Sequence, residues 1–366
     1  GTYLRKRANH FADLRIDTRD DRARSVDAAL MRVRLESGAE CDYDKLLLAT
    51  GSRPITPPIP GIDHPKVINC WTLADARRIA DGIRPGAPVV LIGAGFIGCI
   101  ILEALVHAGA ELTVIEMGDR MVPRMLDPTC GALLQKWCEQ KGVAVKVDSV
   151  VAAIDADDSN DGRLAVRIEG GAAVPAELVI SAVGVRANAD FLDGSDIELR
   201  DGAVLVDQYL AASARDVHAA GDVACGRDFS TGEYSVQAIQ PTAVEHARVA
   251  AHNMHRPQSV AHQGAVAMNV LDTIGLISAS YGLWQGVDGG DSSALLDEEN
   301  FRYIRLRFED DRLIGANTLG LTEHIGILRG LIQGRFGLGE WKARLMENPL
   351  QLMEAYLAAT QSSGRG

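Results

Sequence analysis

The sequence of 366 residues predicts an α/β protein with a parallel sheet, followed by a C-terminal α+β region. The first observation is the strand–helix–strand order across residues 89–116, which is typical of parallel sheets. The second is a change after residue 257, where a group of strands precedes a group of helices instead of alternating with them. The third is length, because about 150 residues per domain predicts two or three domains.

Two strands are predicted within the first fifty residues, at 31–35 and 43–49. Three consecutive leucines at 46–48 indicate that the second strand is buried on both faces. Prolines then recur between Ser52 and Pro65, which predicts a stiff, extended connector and a first candidate domain boundary.

The middle of the chain alternates helices and strands. The pair Asp127-Pro128 predicts a helix start, because aspartate caps helices and proline fits their first turn. The predicted elements are helix 72–82, strand 89–92, helix 96–108, strand 112–116, a helix from 128 that ends before Gly142, strands 143–147, 164–168, 177–182, 203–206 and 217–220, and helix 242–255. Arg256-Pro257 predicts a second linker, and after it come strands near 266–270, 275–280, 302–308 and 312–318, and helices near 322–333, 339–346 and 349–359.

Composition excludes several classes of protein. A content of 47% hydrophobic and 23% charged residues is that of a globular chain. A net charge of −12 and an aromatic content of 5% argue against nucleic-acid binding. Six cysteines without a CxxC spacing indicate neither a disulfide framework nor a zinc site, and no metal site is expected. With no visible signal peptide, we expect a reducing compartment, the cytoplasm.

One segment has the length and hydrophobicity of a membrane span. Residues 85–102 carry no charge over 18 residues, which is the lower limit for a spanning helix. Gly93, Gly95 and Gly98 interrupt this segment, and a β-type run precedes them. A buried strand, a tight loop and a helix start explain the segment better, so no membrane span is expected.

The glycine loop has the GxGxxG pattern, with Phe96 and Ile97 between the last two glycines. A strand precedes it, a helix follows, and the acidic residue Glu116 ends the next strand, which together form a strong dinucleotide-binding fingerprint. The first glycine allows the tight turn, the second lets the pyrophosphate approach the backbone, and the third lets helix and strand pack closely. The phosphates then meet free N–H groups at the positive end of the helix.

Glu116 predicts which coenzyme is bound. Its carboxylate would accept hydrogen bonds from both hydroxyls of the adenosine ribose and would repel a 2′-phosphate, so NADH is favoured over NADPH. Arg120 and Arg124 lie nearby in sequence and keep a phosphate-binding alternative open.

Three further motifs accompany this loop in a fixed order: residues 49–54 (ATGSRP), 182–188 (AVGVRAN) and 217–224 (VHAAGDVA). With them the chain resembles the flavoprotein reductases of the pyridine nucleotide–disulfide oxidoreductase superfamily. Within that superfamily it is most similar to single-flavin NADH reductases, such as rubredoxin and ferredoxin reductases and the flavin part of NADH-nitrite reductase. The resemblance covers residues 33–257 strongly and the rest loosely.

The resemblance implies two Rossmann-like dinucleotide-binding domains and a C-terminal α+β domain. The FAD-type domain is split between residues 1–70 and 189–257 and is N-terminally incomplete, the NAD-binding domain spans 71–188, and the third domain spans 258–366. In that family the third domain contributes to dimerisation or partner docking, so a homodimer is one expectation. The implied cofactors are FAD and NAD(H), and NADP(H) is less favoured.

The resemblance also implies roles for particular residues. Ala49, Thr50 and Gly51, with Arg53 behind them, mark where the chain crosses from the FAD domain to the NAD domain. Gly184 lies beside the nicotinamide, and Asp222 of the Gly221-Asp222 turn binds the ribityl chain of FAD. The helix starting at 240–243, with Pro241 and Thr242, faces the pyrimidine side of the flavin, where its dipole stabilises negative charge. No catalytic side chain is assigned, because the cofactors perform the hydride chemistry.

The sequence departs from the family pattern at three places, and these departures limit which activities of the family are expected. Residues 1–48 contain no second GxGxxG, so we expect an N-terminally truncated member rather than one that has lost FAD binding. Ile100 stands where many members have a glutamate near the flavin, and Glu103 lies one turn further on. The His/Glu pair of disulfide reductases is not evident, since Glu323 and His324 are adjacent, which weakens a disulfide-reductase function.

The sequence therefore predicts hydride transfer from NADH to FAD and electron delivery to a small rubredoxin- or ferredoxin-like carrier protein. Alternatives are a small-molecule NADH oxidase or thiol reductase, and a non-enzymatic NAD(H)-binding module without flavin. Two basic clusters are candidate docks for an acidic carrier. One spans Arg5 to Arg24, and the other comprises Arg329, Arg335, Lys342 and Arg344.

Overall fold

The computed structural model describes residues 7, 9–157 and 162–363. Its strands are β1 (Ala23–Asp27), β2 (Arg32–Leu35), β3 (Glu40–Asp42), β4 (Leu46–Leu48), β5 (Ser52–Pro54), β6 (Val67–Asn69), β7 (Pro88–Ile92), β8 (Glu111–Ile115), β9 (Ala144–Lys146), β10 (Val151–Asp157), β11 (Arg163–Ile168), β12 (Val174–Ala176), β13 (Leu178–Ser181), β14 (Val185–Ala187), β15 (Leu199–Arg200), β16 (Ala203–Leu205), β17 (Val217–Ala219), β18 (Ala224–Arg227), β19 (Tyr234–Ser235), β20 (Met268–Thr273), β21 (Leu276–Gly282), β22 (Asp291–Asp297), β23 (Arg302–Glu309) and β24 (Arg312–Leu319). Its α-helices are α1 (His10–Asp13), α2 (Leu73–Gly82), α3 (Phe96–His107), α4 (Pro128–Gln140), α5 (Gln240–His255), α6 (Gly326–Gly334), α7 (Glu340–Glu347) and α8 (Leu352–Ser363). Short 3₁₀ turns span Asp190–Leu192 and Gly221–Val223. Among these described helices, none is long and apolar enough to cross a membrane.

A five-stranded parallel sheet in the order β6-β13-β7-β8-β9 forms the centre of the molecule. The apolar run of β7 fits a strand that is covered on both faces. Val89 and Leu91 pack into one core with α3 and α4, whereas Val90 and Ile92 pack on the other face against the antiparallel sheet β10-β11-β12. The parallel sheet predicted from the sequence is therefore confirmed.

A second, smaller parallel pairing joins β4 and β17, with Leu46 opposite Val217 and Leu48 opposite Ala219. The prediction that the three leucines are buried on both faces is wrong for Leu47, whose exposed fraction is 36%. Leu48 packs into the core beside Val217, whereas Leu47 lies on the other face of β4, and among the described strands β4 pairs only with β17.

The C-terminal region is an antiparallel sheet in the order β20-β21-β24-β23-β22, with helices α6, α7 and α8 packed against it. Strand β22 (sequence DSSALLD) was not predicted, because a mostly polar run gives a weak strand signal. The opposite face of this sheet shares one hydrophobic core with the central sheet, since Leu271, Tyr303 and Leu319 pack together with Leu102 and Leu126.

A buried polar network reinforces this contact. The Asp127 carboxylate caps α4 by accepting from the Cys130 N–H at 2.9 Å, and it also accepts from the Tyr303 hydroxyl at 2.6 Å. Arg305 donates to the same carboxylate at 3.3 Å, and the Asn317 amide accepts from the Asp127 N–H at 3.2 Å and donates to the Met125 carbonyl at 2.9 Å. Because Asp127 is 2% exposed and fully bonded, it fixes the start of α4 against the C-terminal sheet.

Candidate functional site

Three predicted segments meet at the carboxyl edge of the central sheet. The glycine loop follows β7, Glu116 follows β8, and residues 182–184 follow β13, and these three strands are adjacent and parallel. Ligands of open α/β sheets bind outside the carboxyl ends of the strands, so the chain order alone creates a coenzyme-sized edge here.

The three loop glycines occupy different surroundings. Gly93 has a φ of +95°, and a Cβ on it would lie 2.7 Å from the Ala182 carbonyl oxygen. A Cβ on Gly98 would lie 2.3 Å from the Gly93 carbonyl oxygen, so α3 can pack this closely only with glycine there. A Cβ on Gly95 would meet nothing within 4 Å, which leaves that backbone open to a ligand.

Helix α3 begins at this open position. Gly95 is its N-cap and supplies no side-chain hydrogen bond, so the first-turn N–H groups face the open side of the loop. Phe96 and Ile100, one turn apart, are 37% and 47% exposed, whereas Ile97 is half-buried. The helix start thus combines free donors with an exposed apolar stripe.

Glu116 is already anchored to the loop. It is 7% exposed, and its two carboxylate oxygens accept from the Ala94 N–H at 2.7 Å and from the Gly118 N–H at 2.8 Å. The carboxylate therefore ties the end of β8 to the middle of the glycine loop. A carboxylate oxygen has capacity for more than one hydrogen bond, so this anchoring still leaves acceptors for ribose hydroxyls.

The two nearby arginines differ. Arg120 donates to the carbonyl oxygens of Leu126 at 2.9 Å and Pro123 at 3.2 Å, and it forms an ion pair with Asp119 at 2.5 Å. Arg124 is exposed. Arg120 is thus committed to the protein itself and is not a free phosphate ligand.

A second carboxyl edge lies at the ends of β4 and β17. Ala49, Thr50 and Gly51 follow β4, and Gly221 and Asp222 follow β17, which brings the two motifs together. The Ser52 hydroxyl donates to the Asp222 carboxylate at 2.7 Å and holds it in a half-buried position.

Helix α5 begins against this second edge, two residues earlier than predicted, at Gln240. Gly221 has a φ of +76°, and a Cβ on it would lie 3.4 Å from the Ala243 side chain. Pro241 is exposed in the first turn, Thr242 is buried, and no side chain caps the helix start. The positive end of α5 therefore lies beside the Gly221-Asp222 turn.

Two crossing strands connect the two edges. Strands β5 and β14 pair antiparallel, and the Ile55 N–H donates to the Gly184 carbonyl oxygen at 3.0 Å. The Thr50 hydroxyl donates to the Asn188 carbonyl at 2.7 Å, and the Asn188 amide donates back to the Thr50 carbonyl at 2.9 Å.

Arg53 strengthens the same crossing. It donates to the Asn188 side chain at 2.8 Å and forms an ion pair with Asp190. Its guanidinium is thus used to hold the chain rather than to face a ligand.

Sequence reasoning did not single out two residues that support this site. Ser52 holds Asp222, and Asn188 locks the crossing through its side chain. Asn188 closes a predicted motif, so its position was a usable signal. Ser52 lies within the 49–54 motif, but its bond to Asp222 could not be predicted, because the two residues are 170 positions apart in the chain.

The cysteines form no thiol centre in the described chain, where all six are free. Burial raises the pKa of Cys99 and Cys130 well above the ordinary thiol value and that of Cys138 to about 12. Cys225, beside the Gly221-Asp222 turn, is also buried, and desolvation raises its pKa. Protonated, buried thiols do not suit thiol–disulfide exchange. Across the described residues, no group of three His, Cys, Asp or Glu side chains could hold a metal ion.

The second basic cluster is bonded within the protein. Arg329 pairs with Glu245, Lys342 with Asp291 and Arg344 with Glu340, and Arg335 stacks on the Phe229 ring. In the first cluster, Arg5 and Lys6 lie outside the described residues, and Arg22 faces Glu36 at 3.9 Å.

Comparison with known proteins agrees with this geometry. The family described as pyridine nucleotide-disulphide oxidoreductase matches residues 9–253. The chain is 31% identical over 329 residues to the NADH-dependent phenylglyoxylate dehydrogenase subunit epsilon of Aromatoleum evansii, which covers 89% of this chain and 77% of that one. It is 30% identical to an NADH oxidase of Enterococcus faecalis (75% and 62% covered) and 31% identical to the biphenyl dioxygenase ferredoxin–NAD(+) reductase component of Paraburkholderia xenovorans (67% and 59%). The chain thus spans about three-fifths of the length of these last two relatives.

Solved structures of oxidoreductases are similar to this chain in fold. An NAD-dependent persulfide reductase from A. fulgidus superposes with a TM-score of 0.83 at 27% identity, covering 92% of this chain and 66% of that one. The putidaredoxin reductase–putidaredoxin complex superposes with a TM-score of 0.87 at 21% identity, covering 98% and 85%, and supports the fold alone. The predicted resemblance and the prediction of an oxidoreductase are therefore confirmed. The chain belongs to the pyridine nucleotide-disulphide oxidoreductase family of FAD-dependent NAD(P)H oxidoreductases.

Proposed function

We propose that this protein takes a hydride from NADH onto FAD and passes the electrons to a small electron-carrier protein. The observation that carries this proposal is the meeting of two carboxyl edges. The glycine-loop edge suits NADH, the edge at the Gly221-Asp222 turn suits FAD, and the crossing strands β5 and β14 hold one against the other. Enforced proximity of the two cofactors is what hydride transfer requires.

The residues at the second edge fit a flavin nucleotide. Asp222 offers a half-buried carboxylate to sugar hydroxyls, and Ala49 and Thr50 leave exposed backbone beside it. The uncapped start of α5, at Pro241 and Thr242, offers N–H groups and a positive dipole end to a ring system carrying negative charge. When bound, FAD supplies the hydride acceptor and the source of electrons for the next acceptor.

The first edge supports NADH rather than NADPH. Glu116 is fixed beside the loop by two backbone N–H groups, so its negative charge cannot turn away from an approaching 2′-phosphate. Arg120 is occupied by two carbonyls and Asp119 and does not offset that charge. The family resemblance places Gly184 beside the nicotinamide, and the Gly184 carbonyl is held by the Ile55 N–H where the two strands cross.

The exposed side of α5 suits an acidic carrier better than the predicted basic clusters do. Its exposed positions include Val244, Ala247, Arg248 and Ala251, and the one acidic residue of the helix, Glu245, is turned toward Arg329. This surface begins beside the Gly221-Asp222 turn, the proposed FAD site, and it is apolar with one exposed positive charge. It differs in this from the chain as a whole, whose net charge is −12. Charge complementarity of this kind accelerates the docking of small redox partners.

Reduction of an acidic ferredoxin-type carrier by NADH tests the partner. The rate should fall steeply as salt rises, and Arg248→Glu should lower it at least ~10-fold at low salt, since steering raises association rates 10-fold or more. Arg312→Glu, at the exposed first residue of β24 in the C-terminal sheet, is the matched control and should leave the rate unchanged. Equal rates in the two variants would remove α5 as the dock.

An NADH oxidase remains the second candidate, because two relatives bear that name, at 30% and 31% identity. Oxygen consumption with NADH alone, at a rate that added carrier does not exceed, would favour it. A thiol reductase is less supported, because Cys99, Cys138 and Cys225 are buried.

A further inference from the structure

A cleft of 620 Å³ opens on the opposite edge of the central sheet, near the amino ends of its strands. Four cationic side chains line it, and they come from three separate parts of the chain. Lys66 precedes β6, Arg78 lies on α2, Arg84 follows α2, and Arg163 begins β11. Ile68 and Leu178, both buried, lie beneath them.

The charges in this cleft do not cancel. Two acids, Asp81 and Glu177, also line it, and Glu177 is shared between Arg84 at 2.7 Å and Arg163 at 3.2 Å. Lys66 donates to the Gly162 carbonyl, and Arg78 is 3.4 Å from the Pro65 carbonyl, so both bond to neutral acceptors. Among the described residues that line the cleft, four cations face two acids, an excess of two positive charges, although the whole chain carries −12.

The end of α2 accounts for only part of this excess. The negative end of the helix dipole, equivalent to about half a charge, lies at Gly82 and favours cations in the last turn. Arg78 is one turn from that end, and Arg84 is two residues beyond it. One of these arginines is enough to balance the partial negative charge of the helix end. Lys66 and Arg163 lie on other elements.

We infer that this cleft binds a small phosphate-bearing polyanion, with Lys66 and Arg78, which bond to backbone carbonyls and not to an acid, as its ligands. Several cations that converge from separate elements suit an anion with two or more phosphate groups, because each can form a charge-assisted hydrogen bond. The volume admits a ligand larger than a single phosphate.

This site is separate from the coenzyme edge. Strand β13 runs from Leu178, beside Glu177 in the cleft, to Ser181, beside Ala182 at the glycine loop. Four residues of strand span about 13 Å. The inference therefore stands independently of the proposed electron transfer.

Calorimetric titration with inorganic pyrophosphate tests the inference. The titration is run in saturating NAD⁺, which occupies the glycine loop, and at constant ionic strength set with NaCl. One saturable binding event should appear. Its affinity should fall about 10-fold or more in Arg78→Gln and in Lys66→Gln, as expected for one lost charge-assisted bond. It should rise in Asp81→Asn, which removes a negative charge from the cleft.

The matched control is Arg77→Gln, because Arg77 is an exposed neighbour of Arg78 on α2 that does not line the cleft. It should bind pyrophosphate as the unaltered protein does. Absence of a saturable event overturns the inference, and so does an event that Arg78→Gln and Arg77→Gln weaken equally. Opposite shifts in Arg78→Gln and Asp81→Asn would establish it, since a merely structural effect lowers the affinity in both.

Discussion

Alanine in place of Gly95 should separate coenzyme binding from folding. Its added methyl group would meet no protein atom within 4 Å, and the φ of −78° suits any residue. As a change at a helix N-cap it should alter the free energy of unfolding by no more than about 1 kcal/mol. The same methyl group would occupy the open space where the pyrophosphate must approach the backbone. We expect the dissociation constant for NADH to rise at least ~10-fold, or about 1.4 kcal/mol.

Gly93→Ala is the matched comparison. Unlike Gly95→Ala, it should lower the stability of the fold. At a φ of +95° alanine is strained by about 1–2 kcal/mol, and its Cβ would lie 2.7 Å from the Ala182 carbonyl oxygen. We expect this variant to lose about 2 kcal/mol or more of stability. Urea unfolding gives the stabilities and NADH fluorescence gives the affinities. NADH affinity of Gly95→Ala equal to that of the unaltered protein would refute the role given to this loop.

Three further outcomes are expected. Asp127→Ala should lower the free energy of unfolding, measured in urea, by about 2–4 kcal/mol, because it uncaps α4 and removes the acceptor of the buried Tyr303 hydroxyl, and a loss below about 0.5 kcal/mol would contradict this. Burial lowers the pKa of His246 to about 4, below its ordinary value of 6.5, because the folded protein disfavours the charged imidazole. The contribution of His246 to stability is therefore complete above pH 6.5 and is lost as the pH falls toward 4. The urea midpoint of His246→Phe should therefore depend less on pH across that window, and an unchanged slope would exclude His246 as the cause. A thiol reagent at pH 8 should label Cys99 and Cys138 only after unfolding, and rapid labelling of the native protein would show that the thiols are accessible.

The sequence predicted the elements that depend on local signals. The strand and helix around the glycine loop lie within one residue of their predicted ends, because glycine, apolar periodicity and β-type residues coincide there. Helix α4 begins at Pro128 as its aspartate–proline signal indicates.

The features that the sequence did not predict depend on contacts between residues that are distant in the chain. Nothing in the sequence around Asp127 indicates that Tyr303 and Arg305 complete its hydrogen bonds, since those partners are 176 and 178 residues away. The exposure of Leu47 likewise depends on how many strands surround β4, which a run of leucines does not specify.

The predicted site residues fall into the same two groups, those that local spacing identifies and those whose contacts arise only in the folded chain. Gly93, Gly95 and Gly98 could be assigned from spacing, because Gly93 and Gly98 allow close backbone packing and Gly95 leaves space for a ligand. The attachment of Glu116 to the Ala94 N–H and the use of Arg120 within its own loop arise from tertiary folding. Those two contacts support the proposed preference for NADH, which spacing alone left open.

Anaerobic mixing of NADH with the purified, FAD-loaded protein tests the central claim most directly. The account predicts that absorbance near ~450 nm, from oxidised bound flavin, disappears on mixing with NADH. Reduction should be at least ~10-fold slower with NADPH at the same concentration, because Glu116 repels the 2′-phosphate. Flavin that stays oxidised in the presence of saturating NADH would contradict the claim that the two edges bring the cofactors together.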